Sequence, residues 1–397
     1  MQQISKSSVK NYILSLKNPE EEGFILQKKY NQNTIMSSAF SILTLELVDC
    51  LNNLDIKAEA SHISSFQDRS SGLIIDPKLN FDNSNLEDLE KNYIHYQTTA
   101  FSLSALDALG FSPSNKLVFL DAFRGKEKIK EFFEKIDWSN PWHESNKIMF
   151  LLQFFSYEYL RMDNKQSLNY IHVILDQLDH LQDSETGLWG TQFKASSFIA
   201  MAAAYHFLIY YKYFDRPINF SERIATSVFR LQMKDGLYHP FGGGGACEDL
   251  DAIDVLSKVV KNTDSNYDKS LESSYNALLK NYNRDGGFCW AKRPSFPIVF
   301  GLKYLNPSSE LFNYEMFKWV LKNNVVGTFF PFVREAKTYR YSNWSEMKFN
   351  IQYSDSWSTW FRLLSIAAIE KVIPQYKKHD IDFKFRPIPS IGWLQND

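Results

Sequence analysis

A short phrase that recurs along the chain constrains its fold more than any other feature. Each copy has a polar residue, a small polar spacer, a glycine and then a large apolar residue; the copies are Gln67–Leu73, Gln182–Trp189, Gln232–Tyr238 and Asn283–Phe288. Their glycines stand at positions 72, 187, 236 and 286, so the last two intervals are 49 and 50 residues, and the first has room for one degenerate copy. A period near fifty residues predicts one fold built from similar units.

Each unit has the pattern of two helices. Upstream of the glycines, apolar residues recur at spacings of three and four, as in Ile171, Ile174, Leu175 and Leu178, which is typical of an outer helix with one buried face. The glycine is expected to end that helix. A more apolar inner helix follows, and its predicted starts lie near His95, Glu144, Ala195, Glu248, Pro297 and Asp355. Six such hairpins predict an all-α, single-domain α/α6 toroid, with an open helical solenoid as the alternative.

The segments outside the repeats are expected to be short. Residues 1–60 are predicted to hold helices that complete or flank the ring, residues 61–373 the repeats, and residues 374–397 an extension that wraps the outside. The predicted inner helix Ser196–Tyr213 is apolar nearly all round, as expected of a helix buried on several sides.

Composition excludes several classes of function. A net charge of −2 and a pI near 6.5 give no electrostatic case for binding nucleic acid. The N-terminus lacks the apolar core of a signal peptide, and no apolar run reaches the ~18 residues of a membrane span. Three scattered cysteines suit a reducing compartment. We therefore predict a cytoplasmic protein, and leave a peripheral membrane contact open. The aromatic content of 16% is high enough to line a deep cavity.

The segment with the most evident chemistry is an acidic run that follows four glycines, Gly242–Gly245. Glu248, Asp251 and Asp254 recur every third residue and share one helical stripe, while Asp249 points elsewhere. Capping of a helix N-terminus explains one or two acids, but not four. Because crowded carboxylates repel one another, at least one is expected to have a raised pKa and to serve as a general acid.

The repeated phrase together with this acidic run resembles the terpenoid cyclase and protein prenyltransferase superfamily. Gln182–Trp189 matches the QxxxxGxW repeat of the cyclases in full. Asp249-Leu250-Asp251-Ala252 matches their D-x-D-D motif except at the last position. The resemblance implies a class II-like cyclase in which Asp251 protonates an isoprenoid and Asp249 assists it. It implies no required cofactor, and Mg²⁺ only if the substrate is a diphosphate. A prenyltransferase zinc site is not matched, because Cys247 and Asp249 stand in the reverse order.

Other candidate residues lie at the predicted inner-helix ends and turns. We take Glu248, Asp249, Asp251 and Asp254 as candidate catalytic residues. The candidate substrate-binding residues are His95, Trp142, His143, Glu144, Asn146, Trp189, Tyr238, Trp290, Lys292, Arg293, Asp355 and Trp357. In a cyclase the aromatic faces would stabilise a carbocation, and Lys292 and Arg293 would hold a diphosphate. The alternative is a carbohydrate-active α/α6 enzyme, a hydrolase, lyase or epimerase, with paired carboxylates such as Glu144 and Asp251. A non-catalytic binding toroid is the third hypothesis.

Overall fold

The computed structural model of the protein describes residues 3–79, 89–240, 242–260, 265–292, 338–340 and 347–394. These ranges are mainly helical, and two small antiparallel sheets pair β1 (Ile25–Gln27) with β2 (Tyr30–Asn33) and β3 (Thr338–Arg340) with β4 (Lys348–Asn350). The helices are α1 Lys6–Leu14, α2 Ile35–Leu47, α3 Ile56–Ser65, α4 Tyr93–Ala108, α5 Lys126–Glu134, α6 Pro141–Arg161, α7 Gln166–Leu181, α8 Ser197–Tyr213, α9 Ser221–Phe229, α10 Ala246–Val259, α11 Ser265–Leu278 and α12 Ser356–Val372. No helix within these ranges is long and apolar enough to cross a membrane.

The even-numbered helices form a closed inner ring. Each packs on the next, from α2 through α4, α6, α8 and α10 to α12, and α12 packs back on α2. Odd-numbered helices bury one stripe only, as α7 does with Ile171, Ile174 and Leu178, and they form the outer layer. The predicted α/α6 toroid is confirmed. An open solenoid is excluded, because its first and last inner helices would not touch.

The inner helices begin close to where the sequence places them. Observed starts differ from predicted ones by one to three residues at Tyr93, Pro141, Ser197, Ala246 and Ser356. The predicted start at Pro297 lies outside the described residues. The remaining ring member is instead α2, so the N-terminal helices complete the ring rather than flank it.

The repeated phrase forms the turn between an outer and an inner helix. Helix α7 ends at Leu181, and Gly187 lies in the turn beyond it with φ +75°. The prediction that this glycine ends the outer helix is therefore wrong. The amide of Gln182 donates to the carbonyl of Gly187 at 2.8 Å and to the carbonyl of Asn219 at 2.9 Å, just before α9. The phrase thus fixes its own turn and joins it to the following hairpin.

The structure shows a further copy of this turn that sequence reading missed. It ends at Phe24, which bridges to Lys17, and its Gly23 has φ +92°. In this copy a backbone N–H after the glycine donates to the next inner helix, from Phe24 to Ser38 Oγ at 3.0 Å. The same bond runs from Phe288 to Thr359 Oγ1 and from Tyr238 to Asp249 Oδ1. Asp249 therefore stands where other repeats place a structural hydroxyl.

We expect Gly286→Ala to destabilise the protein more than Gly110→Ala. Both glycines have positive φ, at +96° and +79°, so each substitution carries backbone strain of about 1–3 kcal/mol. A Cβ at position 286 would also lie 2.3 Å from the backbone oxygen of Ser8 in α1, whereas a Cβ at position 110 meets nothing within 4 Å. Urea unfolding of the two variants measures the difference. Equal losses would contradict a close contact between the last turn and α1.

The C-terminal segment crosses the ring end at which the inner helices finish. Arg386 binds Glu46 of α2 at 2.7 Å and Asp107 of α4 at 2.9 Å. Trp393 packs edge-on against Tyr213 at the end of α8. The expectation that this segment wraps the outside of the ring is therefore corrected.

Candidate functional site

The N-termini of the inner helices lie together at one end of the ring, which we call the N-terminal mouth. The last turns of α2, α4, α8, α10 and α12 all contact the C-terminal segment, and Arg161 at the end of α6 binds Asp107 at the end of α4, so all six inner helices finish at one end of the ring and begin at the other. The predicted site residues near helix starts therefore share this end.

The four glycines make room for carboxylates at the start of α10. Gly242, Gly243 and Gly244 have φ of +73°, +74° and +77°, a left-handed conformation that side chains strongly disfavour. A Cβ on Gly244 would lie 2.2 Å from Asp249 Oδ2, and a Cβ on Gly245 2.2 Å from Glu248 Oε2. The glycine run is therefore tied to the acidic run directly after it.

Asp249 holds the fold together. Its carboxylate is fully buried and accepts the backbone N–H of Tyr238 at 2.7 Å and that of Gly245 at 3.0 Å. Arg362 of α12, also fully buried, donates to it at 2.5 Å. Burial raises the pKa of Asp249, and Arg362 acts in the opposite direction. With these partners, Asp249 is not available to assist Asp251, and its prediction as a catalytic residue is corrected.

Asp254 is also committed to an ion pair. It binds Lys258 one turn further along α10, and both side chains are buried. Burial raises the pKa of Asp254 and lowers that of Lys258, while the pairing opposes both shifts. The prediction of Asp254 as a catalytic residue is corrected, because the lysine neutralises it.

Asp251 differs from both of these aspartates. It is 1% exposed, and its Oδ2 has no hydrogen-bond partner. Burial raises the pKa of Asp251 well above its ordinary value, and the negative charges of Glu248, Asp254 and Asp249 raise it further. A carboxyl in this environment keeps its proton to a higher pH than an exposed aspartate does, which is the direction that a general acid requires.

Glu248 precedes Asp251 by three residues on the same side of α10. Side chains at this spacing have Cβ atoms roughly 5–6 Å apart. The thiol of Cys247 donates to Glu248 Oε2 at 3.3 Å, and the Nε2 atom of His239 lies 3.8 Å from Oε1. We call Glu248 and Asp251 the acid pair.

Aromatic side chains form a wall at the start of α12, the inner helix that packs on α10. The rings of Trp290 and Trp357 lie 4.7 Å apart, and Phe349 packs on both. The guanidinium of Arg362 that binds Asp249 also donates to the backbone oxygen of Trp290 at 2.5 Å. One arginine thus fixes this tryptophan wall (Trp290, Trp357 and Phe349) relative to the helix that carries the acid pair.

The start of α6 forms a second polar cluster. Lys147 bridges Glu144 at 2.6 Å and Glu90 at 2.7 Å, and His143 lies 3.1 Å from Glu90 and stacks on Tyr93. Burial raises the pKa of Glu144, whereas Lys147 opposes the rise. The ligand atoms of Glu90, His143 and Glu144 lie within 4.8 Å of one another, but the lysine already supplies the positive charge.

Sequence analysis missed two members of this cluster. The spacing of three between Glu144 and Lys147 is a signal for such an ion pair, whereas Glu90 lies in a polar connection that carries none. Trp142 packs edge-on against Phe198, and Asn146 donates to the backbone oxygen of Trp142. Their role in binding a substrate stays a prediction.

Four predicted substrate-binding residues are buried, and two of them, Trp189 and Asp355, are corrected because their contacts are structural, while the role of His95 and Tyr238 stays a prediction. His95, Trp189, Tyr238 and Asp355 are all 0% exposed. Trp189 donates its indole N–H to the oxygen of Leu178 at 2.8 Å. Asp355 caps α12 through the N–H of Ser358, and burial raises its pKa to about 7.

The predicted diphosphate-binding pair, Lys292 and Arg293, is not seen as a pair of free cations in the described residues. The ammonium of Lys292 donates to the backbone oxygen of Tyr282 at 2.9 Å, although the residue is exposed. Arg293 lies outside the described residues. The structure therefore places no pair of free cations here for a diphosphate among the residues it describes.

Comparison with known proteins gives structural similarity only. No family model matches the chain, and no curated protein matches it. Among solved structures, a polysaccharide lyase is similar with a TM-score of 0.46 and 14% identity, over 94% of this chain and 98% of that one. A GH76 α-mannanase of Bacteroides thetaiotaomicron is similar with a TM-score of 0.44 and 11% identity, over 93% of this chain and 97% of that one.

The prediction of a terpenoid cyclase is wrong. The helper role that the resemblance assigns to Asp249 is excluded by its contacts with Arg362 and two backbone N–H groups. Neither of the solved structures named above is a terpenoid cyclase. In the segment that matches the D-x-D-D motif, Asp249 therefore has a structural role, and Asp251 is the aspartate whose Oδ2 has no partner.

Proposed function

We propose that the protein is a carbohydrate-active enzyme, a glycoside hydrolase that uses Asp251 as general acid and Glu248 as nucleophile. The observation that carries the proposal is the buried carboxyl of Asp251, whose Oδ2 has no partner, three residues from a second carboxyl. A hydrolase of glycosidic bonds requires one protonated and one ionised carboxyl group at a fixed separation.

The spacing of the acid pair is compatible with a retaining mechanism. Such a mechanism needs carboxyl groups about 5–5.5 Å apart, and two side chains whose Cβ atoms lie roughly 5–6 Å apart on one helix face can bring their carboxyl groups to that separation. Glu248 would attack the anomeric carbon while Asp251 gives its proton to the departing glycosidic oxygen. The Asp251 carboxylate would then take a proton from water, whose oxygen attacks the same carbon and releases Glu248.

The surroundings of the acid pair suit a sugar. In the tryptophan wall, Trp290 is 8% exposed and Trp357 is 7% exposed, and the C–H face of a pyranose would pack against this exposed edge. Across the mouth, the Glu90–Lys147–Glu144 cluster offers charged hydrogen-bonding groups for hydroxyls. Glu144 is proposed as a sugar-binding residue and not as the second acid, because α8 stands between α6 and α10 in the ring.

A panel of glycans tests this proposal. Purified protein is incubated with mannans, glucans, xylans and polyuronates, and the products are separated by chromatography and identified by mass spectrometry. We expect a hydrolysed product with retained anomeric configuration in proton NMR. An unsaturated uronate product would identify a lyase instead. Failure to cleave any glycan in the panel would contradict the proposal.

The nucleophile has a more specific test. With an activated aryl glycoside of the identified sugar, Glu248→Ala is expected to lose activity by about 10²–10⁴-fold, and azide is expected to restore it with formation of a glycosyl azide. Glu131→Ala removes the same group from an exposed position on α5 and is the matched control. Full activity of Glu248→Ala without azide would exclude Glu248 as nucleophile.

A further inference from the structure

The C-terminal end of the ring contains a pocket of about 740 Å³, whose residue Lys258 lies about 10 Å along α10 from Asp251. It lies between the last turns of α8, α10 and α12 and the C-terminal segment, which contributes Leu394. We call it the C-terminal pocket. Four cationic side chains and one acidic side chain are among its lining residues, namely Lys212, Arg216, Lys258, Lys371 and Asp215.

We propose that the C-terminal pocket binds a small organic ligand that carries more than one negative charge, in the form of phosphate or carboxylate groups. This site is separate from the proposed hydrolase site and does not depend on it. The size of the pocket is within the range of about 300–1,000 Å³ that small-molecule sites occupy.

Three of the cations converge from three different inner helices. Lys212, Lys258 and Lys371 each stand in the last turn of their helix, where a cation complements the helix dipole. The helix dipole explains why each helix ends with a lysine, but a lysine whose side chain points into solvent would stabilise the helix end equally well. Instead, all three point to one place. Burial is the main cause of the lowered pKa of Lys258, and the positive charges of Lys212 and Lys371 lower it further.

The charges in the pocket are unequally compensated. Lys258 binds Asp254, and Arg216 binds Asp176 and Asp179. Lys212 forms no hydrogen bond or ion pair in the described chain, although its charge acts on the ammonium group of Lys258. Bound phosphate or carboxylate groups would neutralise this repulsion, and the charge-assisted hydrogen bonds are strong.

The rest of the lining indicates an organic ligand. Val259, Val260, Val372 and Leu394 supply apolar surface next to the lysines. Lys258 also lies 6.0 Å from the ring of Trp393. A carbon skeleton with two or more anionic groups would contact both kinds of surface, whereas a single inorganic ion would leave the apolar side empty.

Calorimetric titration of the full chain tests the site with three probes: pyrophosphate, citrate and glucose 6-phosphate. Lys212→Gln and Lys371→Gln remove one charge each from the pocket. Lys57→Gln removes the same charge from an exposed position on α3 and is the matched control. We expect at least one of the two organic probes, citrate or glucose 6-phosphate, to bind, with affinity that falls at least tenfold in both pocket variants and not in the control. Neutral glucose should not bind there, and binding of pyrophosphate alone would contradict an organic ligand.

The three probes also identify the ligand chemistry. Binding of pyrophosphate and glucose 6-phosphate without citrate would indicate a phosphate site, and the reverse a carboxylate site. Absence of binding by all three at millimolar concentration would overturn the proposal. So would affinity that is unchanged in both pocket variants, or that falls equally in the Lys57 control.

Discussion

Replacing Asp251 with asparagine is expected to abolish turnover while making the folded protein more stable at neutral pH. The variant keeps the shape of the side chain but has no proton to give, so the rate should fall by about 10²–10⁴-fold. The stability effect follows from the raised pKa of Asp251, which burial and the acids around it cause. As pH rises, the unfolded wild-type chain releases the proton of Asp251, whereas the folded protein either retains it or ionises a buried carboxyl. Both alternatives favour the unfolded state.

The direction of this pH dependence is defined. Above the unfolded pKa of about 3.9, the native state binds more protons at Asp251 than the unfolded state does, so this group lowers stability by roughly 1.4 kcal/mol per pH unit up to its folded pKa. The asparagine variant has no titrating group at position 251, so this loss of stability with pH is absent. The difference in free energy of unfolding between variant and wild type should therefore be small near pH 4 and should grow in favour of the variant towards pH 7.

Urea unfolding at a series of pH values measures this difference. A difference that stays constant between pH 4 and pH 7 would show that Asp251 ionises in the folded protein as easily as in the unfolded chain. Wild-type turnover in the variant would remove Asp251 from the reaction.

Replacing Asp249 with asparagine should have the opposite effect on stability. The substitution leaves the guanidinium of Arg362 buried at 0% exposure without its negative partner. Breaking a buried ion pair in this way costs about 3–5 kcal/mol. Because the carboxylate also accepts two backbone N–H groups, the turn before α10 should loosen as well.

A double variant distinguishes this ion pair from general disturbance. Adding Arg362→Met to Asp249→Asn removes the orphaned charge and should recover part of the lost stability, which a double-mutant cycle reports as a coupling energy. A cycle with no coupling, or a single Asp249→Asn variant as stable as wild type, would contradict the structural role. The two neighbouring carboxyl-to-amide changes thus carry opposite predictions.

Much of the fold could be predicted from the sequence because a repeat is a local pattern. A glycine every fifty residues, with apolar spacing before and after it, indicates one hairpin at a time, and six hairpins predict the ring. The copy that ends in Phe24 also fits the phrase, with Asn18 five residues before Gly23, and was missed. As a result α2 was not identified as the ring member that closes the toroid.

The site was harder to predict because ion pairing depends on distant residues. Nothing near Asp249 indicates Arg362, which lies 113 positions further along the chain. Spacing did predict that Glu248 and Asp251 share a face and that one acid would have a raised pKa. It did not show that Asp249 and Asp254 would each meet a cation, or that Trp189 and Tyr238 would be packed inside.

The protonation state of Asp251 at neutral pH tests the central claim most directly. Protein labelled with ¹³C at the aspartate side-chain carboxyl is measured by NMR, and the Asp251 signal is assigned by its absence from Asp251→Asn. The structure predicts a protonated carboxyl at pH 7, with a shift that changes only at more alkaline pH. A signal already at the carboxylate position at pH 5 would contradict the assignment of Asp251 as the general acid.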